Sequence, residues 1–151
     1  MKGNIQMANL ANFIYCLNAE RIISPDMQSE NINAIGIIST IIPEFVPGTF
    51  SFSIIFSILD IDTKEHNNIR ITFSQYDSKI PLVDSGIIQL PPLPENHEIK
   101  IPNQYSGLNM TMDFRNVIFE KEGLYNTCIY FNGNLLSGEN YIYAKGKREL
   151  S

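Results

Sequence analysis

Tryptophan is missing from this chain, and cysteine and histidine occur only twice each, as Cys16, Cys128, His66 and His97. Two cysteines cannot build a disulfide framework or a four-cysteine zinc site. The histidines have no His-x-His or His-x-x-x-His spacing, and both fall in polar stretches that read as loops. No Gly-x-Ser-x-Gly elbow is present, and a serine or cysteine nucleophile needs a base within reach. The expectation is a protein that is not an enzyme, with no catalytic residues, no metal and no cofactor. Basic residues are outnumbered 11 to 16, for a formal net charge of -5. The longest basic block is Lys145-Gly146-Lys147-Arg148. An acidic chain is repelled by nucleic-acid backbones and anionic lipid, so no nucleic acid and no membrane is expected as partner. No apolar run approaches the about 18 residues of a membrane span, and the first seven residues lack a leader's apolar core. The expected location is cytoplasmic, with reduced thiols.

What the chain does have is alternation. Hydrophobic residues make up 44 % of 151, enough for one core without covalent staples. Phe50, Phe52, Ile54, Phe56 and Ile58 share one parity, with Ser51, Ser53 and Ser57 between them. A period of two marks a strand with one face on a core and the other nearer water. The same reading predicts strands over 7–17, 31–42, 50–59, 69–74, 80–90, 108–119, 125–131 and 135–144, and a short edge strand over 97–101. The strand over 31–42 is apolar on both faces (Ile35, Ile37 and Ile41 against Ile32, Ala34 and Ile38), which predicts a central place, and Gly36 within it predicts a bulge or a close backbone approach. Residues 18–30 are polar, carry the Ser24-Pro25-Asp26 turn signal and could form a short helix. Pro91, Pro92 and Pro94 predict a crossover between sheets. The parity of Leu108, Met110, Met112 and Phe114 slips before Val117 and Phe119, which predicts a β-bulge at Arg115-Asn116. Asn132-Gly133 is a hairpin signal. The expected fold is all-β: a sandwich of about seven to nine antiparallel strands in one domain, residues 1–151. Its core spans about 8–144, and a short polar tail covers 145–151.

Asp60 and Asp62, with Glu65 and Asp77 nearby, have the character of loop carboxylates that hold calcium on some sandwiches, but calcium needs six to eight oxygens and Lys64 opposes a cation. Their bland reading is a strand end entering a polar turn. Pro91 to Pro94 could also serve as a polyproline ligand. Tyr125, Tyr130, Tyr141 and Tyr143 crowd the last two strands. Tyr130, Tyr141, Tyr143 and Phe131 form the candidate binding patch, set against plain cross-strand packing.

Glu122-Gly123-Leu124-Tyr125 ahead of Cys128 resembles the Asp-x-Gly-x-Tyr-x-Cys stretch of immunoglobulin-like domains. The resemblance implies a tyrosine corner at Tyr125. Cys128 follows by three places rather than two and so faces the other way, so no bridge is implied. Residues 8–144 also resemble a family of small uncharacterised bacterial proteins, a domain of unknown function with a β-sandwich. Ala34-Ile35-Gly36-Ile37, the turn from Pro43 to Pro47, Phe50 to Ile58, Gly123-Leu124-Tyr125 and Asn132-Gly133 carry that resemblance, which implies an immunoglobulin-like fold and supplies no catalytic residues. The functional expectation is a non-catalytic module that binds a protein partner or forms a homo-oligomer, as an accessory part of a bacterial or phage-encoded system. The alternative is a small-ligand binder with a pocket at one end of the sandwich, lined by the Gly48, Asp77 or Asn132 turns.

Overall fold

In the structure, a computed structural model that describes residues 8–23, 30–93 and 100–149, two β-sheets pack face to face. The strands are β1 (Asn9–Ile23), β2 (Glu30–Ile38), β3 (Thr40–Ile41), β4 (Gly48–Leu59), β5 (Asn67–Gln75), β6 (Val83–Asp84), β7 (Ile88–Leu90), β8 (Gly107–Phe119), β9 (Gly123–Phe131) and β10 (Asn134–Ala144). The first sheet has the order β2-β1-β4-β8; the second has the order β3-β10-β9-β5-β6, with β7 also on β5. The helical content of the described residues is one 3-10 turn, Asn103–Tyr105. The expected all-β sandwich is what forms. It has ten strands because three short ones fill the sheet edges, and it is not wholly antiparallel, since β3 runs parallel to β10.

The alternation places the core as physical chemistry requires. Phe52, Ile54, Phe56 and Ile58 from β4 face Ile69, Ile71 and Phe73 from β5 and Tyr125, Ile129 and Phe131 from β9, all buried. Phe73 is the hub. Its ring centroid lies 5.2 Å from Phe52, 5.7 Å from Phe114, 6.0 Å from Phe119 and 5.6 Å from Tyr125. Tyr15 joins the sheets: its hydroxyl donates to the Asn140 carbonyl at 2.5 Å and lies 2.7 Å from Thr127 Oγ1.

Several sequence expectations are corrected. Ser53 and Ser57 are buried rather than wetted, because β4 lies between β1 and β8 and its outward serines bond across the ladder. Ser53 Oγ donates to Asp113 Oδ1 at 2.5 Å and Ser57 Oγ to Asn109 Oδ1 at 2.7 Å. β1 runs on through the polar residues 18–23, since pairing with β2 satisfies its backbone whatever the side chains are. That segment is therefore strand, not helix; Ser24-Pro25-Asp26 lies outside the described residues. The strand expected over 31–42 is at an edge rather than central, and it divides at Ser39, where the chain passes from the first sheet to the second. Its outward Ile37 is 70 % exposed. Gly36 has φ +68°, and a Cβ there would meet the Leu17 side chain at 2.9 Å, so what comes close at this glycine is a side chain rather than a second backbone.

Residues 80–90 form two short strands, β6 and β7, around Gly86, rather than one. The passage from β7 to β8 does carry the chain from the second sheet to the first, as Pro91 and Pro92 predict; Pro94 lies outside the described residues. So does most of the edge strand expected over 97–101; Lys100 and Ile101 are not strand. The bulge at Arg115-Asn116 is present. The β4–β8 register shifts between Phe50 and Phe52, Asn116 takes φ +53°, and its N–H is accepted by Ser51 Oγ. Asn132 and Gly133 both have positive φ, the backbone of a two-residue hairpin turn. Beyond β10, the tail is held by Lys145 and Lys147 N–H groups on the Ile41 and Pro43 carbonyls.

Candidate functional site

The outward face of the second sheet carries the candidate patch, and strand parity decides its members. In β9, Tyr125, Thr127, Ile129 and Phe131 face the core, while Leu124, Asn126, Cys128 and Tyr130 face out. Phe131 is only 6 % exposed, so it is removed from the patch. It neighbours Tyr130 in the chain, and neighbours on a strand point to opposite faces. Tyr130, Tyr141 and Tyr143 all point outward, but not as one cluster. Tyr143 pairs with Leu124 at one end of the sheet, whereas Tyr130 pairs with Leu135 at the other.

Tyr76 was missed by the sequence reading, and it completes the cluster. It follows β5 on the same parity as Arg70, Thr72 and Ser74, and its N–H donates to the Leu124 carbonyl at 2.9 Å. Its ring meets that of Tyr141 edge to face at 5.6 Å. Tyr76, Leu124, Tyr141 and Tyr143 thus form an adjoining apolar group, with the three tyrosines 61, 43 and 49 % exposed. Tyr76 precedes Asp77-Ser78, which reads as a turn, and only the continued ladder to β9 shows which way it points. Loss of hydration, with Glu139 and Tyr76 close by, pushes the Tyr141 phenol up. It therefore stays neutral at physiological pH, able to donate and to accept.

At the far end, Arg70 grips Asp84 through two bonds, Nε to Oδ1 at 3.0 Å and Nη2 to Oδ2 at 2.6 Å. The guanidinium carbon lies 5.5 Å from the centre of the Tyr130 ring. The Arg70 bonds, aided by the Gly86 N–H, bring the Asp84 carboxyl down to about 2 from 3.8. A depressed folded-state value means that this pair contributes fully above about pH 4 and is lost as pH falls through about 2. A carboxyl NMR titration is expected to place Asp84 near 2 and to return it toward the ordinary carboxylate range in Arg70→Ala.

Other candidates are dispersed. Asp62 Oδ1 accepts the Lys64 N–H at 3.0 Å within its own turn. Asp60 and Asp62 follow β4 at one end of the sandwich, and Asp77 follows β5 at the other; nine residues of strand separate these ends by about 30 Å. Among the described residues, no group of three His, Cys, Asp or Glu side chains comes together. His66 is exposed in a turn, and His97 lies outside the described residues. Cys16 and Cys128 are both free and sit on the outward faces of opposite sheets, so the whole core separates them. Gly48 and Asp77 share one end of the sandwich and Asn132 lies at the other.

Two clefts lie along the seam between β1 and β10. One of about 400 Å³ is lined by Leu10, Asn12, Phe13 and Leu136; the next, of about 390 Å³, by Tyr15, Ile38, Glu139 and Tyr141. Both are open, and Phe13 and Asn140 border both. The Tyr125 hydroxyl donates to the Lys121 carbonyl at 2.7 Å, the contact that a tyrosine corner makes.

Fold and site together describe a β-sandwich with an aromatic cluster on the outer face of one sheet. The chain belongs to the family of unknown function DUF6941, whose profile matches residues 23–140. No curated protein matches the sequence.

Proposed function

We propose that this chain is a non-catalytic protein-interaction module that binds a partner through Tyr76, Leu124, Tyr141 and Tyr143. The observation that carries this reading is their contiguity: three part-exposed tyrosines and a leucine adjoin at one end of a face that also carries Arg70, Thr72, Ser74, Asn126, Cys128 and Tyr130. Tyrosine has large area, few rotors and a polar tip, which suits a contact that must form and release in water. We read the sandwich as immunoglobulin-like; the Tyr125 corner and the short parallel β3 beside β10 support that finer assignment. We place the module in the cytoplasm, where thiols such as Cys16 and Cys128 stay reduced, and among the accessory parts of a bacterial or phage-encoded system.

The test is affinity capture from the native host, followed by reconstitution with the purified partner. The double variant Tyr141→Ser/Tyr143→Ser is expected to fold with little change in Tm and to weaken that complex by roughly 30-fold or more. Equal binding by wild type and variant would remove the tyrosine face as the contact. A second reading, small-ligand binding, is favoured by the clefts beside Phe13. Its signature is a rise in Tm with one metabolite that is lost in Phe13→Arg.

A further inference from the structure

A second surface, on the other sheet, fits a defined occupant. β8 closes the first sheet: among the described residues it pairs with β4, and no strand is hydrogen-bonded to its other side. Such edges are usually blunted by bulges, charges or covering groups. β10 is treated in this way: its register is broken around Ser137, Tyr15 caps the Asn140 carbonyl and β3 covers its end. β2 carries a left-handed backbone at Gly36, φ +68°. β8 is different. From Leu108 to Phe114 its register against β4 is unbroken, and Asp113 is the only charged residue in that stretch. The Asn116 bulge terminates it.

We propose that two copies of this chain pair antiparallel along β8 about a two-fold axis at Thr111, joining two four-stranded sheets into one of eight strands. Thr111 is the centre of the regular stretch, so this register alone pairs all seven residues. It sets Asn109 opposite the second copy's Asp113, an amide against a carboxylate, and keeps the two Asp113 carboxylates apart. Leu108 meets Phe114, and Met110 meets Met112, extending the apolar inner face across the junction. Thr111 falls opposite itself. Its Oγ1 lacks a hydrogen-bond partner and is shielded from solvent within one copy; turning the side chain toward the edge would let the two hydroxyls bond, as cross-strand threonine pairs do. An isologous contact of this kind closes at two copies. The inference is independent of the tyrosine face, which lies on the opposite side of the sandwich.

The test is mass by light scattering and sedimentation on the full chain at micromolar concentration. Wild type is expected at about 34 kDa, twice the 17.1 kDa of the chain. Asn109→Asp, which still accepts the Ser57 hydroxyl, places like charges opposite each other twice and is expected to raise the dimer Kd about tenfold. The exchange Asn109→Asp/Asp113→Asn restores the amide–carboxylate pairing and is expected to return Kd close to wild type. Tyr141→Ser/Tyr143→Ser is expected to leave the mass at the dimer value. A 17.1 kDa wild type at every concentration overturns the proposal, and so does a dimer indifferent to Asn109→Asp or not recovered by the exchange.

Discussion

Phe73→Ala is expected to lower stability by about 3–5 kcal/mol, the largest effect of any single truncation in this chain. Phe73 touches four aromatic rings, one from β4, two from β8 and one from β9, so no single neighbour can move to fill the space without opening another gap. It is fully buried, and close-packed interiors relax only partly around a lost ring. A domain of this size has about 5–15 kcal/mol in total, so the variant is expected to be partly unfolded at 37 °C. Urea unfolding followed by circular dichroism measures it. Phe73→Leu, which keeps much of the volume, is expected to lose less than half as much. If both variants cost under 1 kcal/mol, the core is not organised around this ring.

Tyr15→Phe is the second. The ring packs against Phe13 at 5.0 Å and Phe52 at 6.0 Å, and phenylalanine retains those contacts. Only the hydroxyl is lost, and with it the link to β9 and β10. Thr127, which is fully buried, is then left with an unsatisfied hydroxyl, and the Asn140 carbonyl loses its donor; the expected cost is about 1–3 kcal/mol. Tyr15→Phe/Thr127→Val removes both buried polar groups and is expected to recover part of that loss, since the penalty lies in the orphaned partner more than in the missing bond. Burial pushes the Tyr15 phenol up from its ordinary 10.0, outweighing the Thr127 hydrogen bond that lowers it. The unfolded phenol ionises near pH 10 while the folded one does not, so stability falls as pH rises above 10. Wild type is therefore expected to show a steeper alkaline loss of stability than Tyr15→Phe, read from denaturant midpoints between pH 9 and 11.

Much of this architecture is legible in side-chain order. The inner faces of β4, β5, β9 and β10 can be counted off by twos, and the slip at Arg115-Asn116 can be found because a bulge is the only way to keep Phe114 and Val117 on one face. The errors have a common origin. Residues 31–42 are apolar on both sides, which reads as a central strand, but the rule that two apolar faces mean two buried faces fails where a strand ends one sheet and begins another. The polarity of Asn18, Glu20 and Arg21 conceals a strand because a two-stranded ribbon needs backbone partners rather than a core. Composition alone puts Phe131 in the patch, whereas the parity that places Ile129 inside places Phe131 there too.

The site was only half readable. Tyr141 and Tyr143 share a face by their spacing, but Tyr76 reaches them through a ladder between segments about 50 residues or more apart in sequence, and nothing local signals that pairing. The same holds for Asn109 and Asp113: their outward parity is plain, while their place on a strand with no second hydrogen-bonded neighbour among the described residues depends on the order of strands in the sheet.

By itself the sequence determined that the chain is layered β-structure, which parity turns inward, and where one bulge and one tight hairpin must fall. Those are consequences of steric and hydrophobic rules acting between residues near one another along the chain. The tertiary structure alone decided which strands became edges, which outward side chains were covered, and which distant aromatics met. Those outcomes follow from the free energy of the whole packed assembly, to which no local segment holds the key.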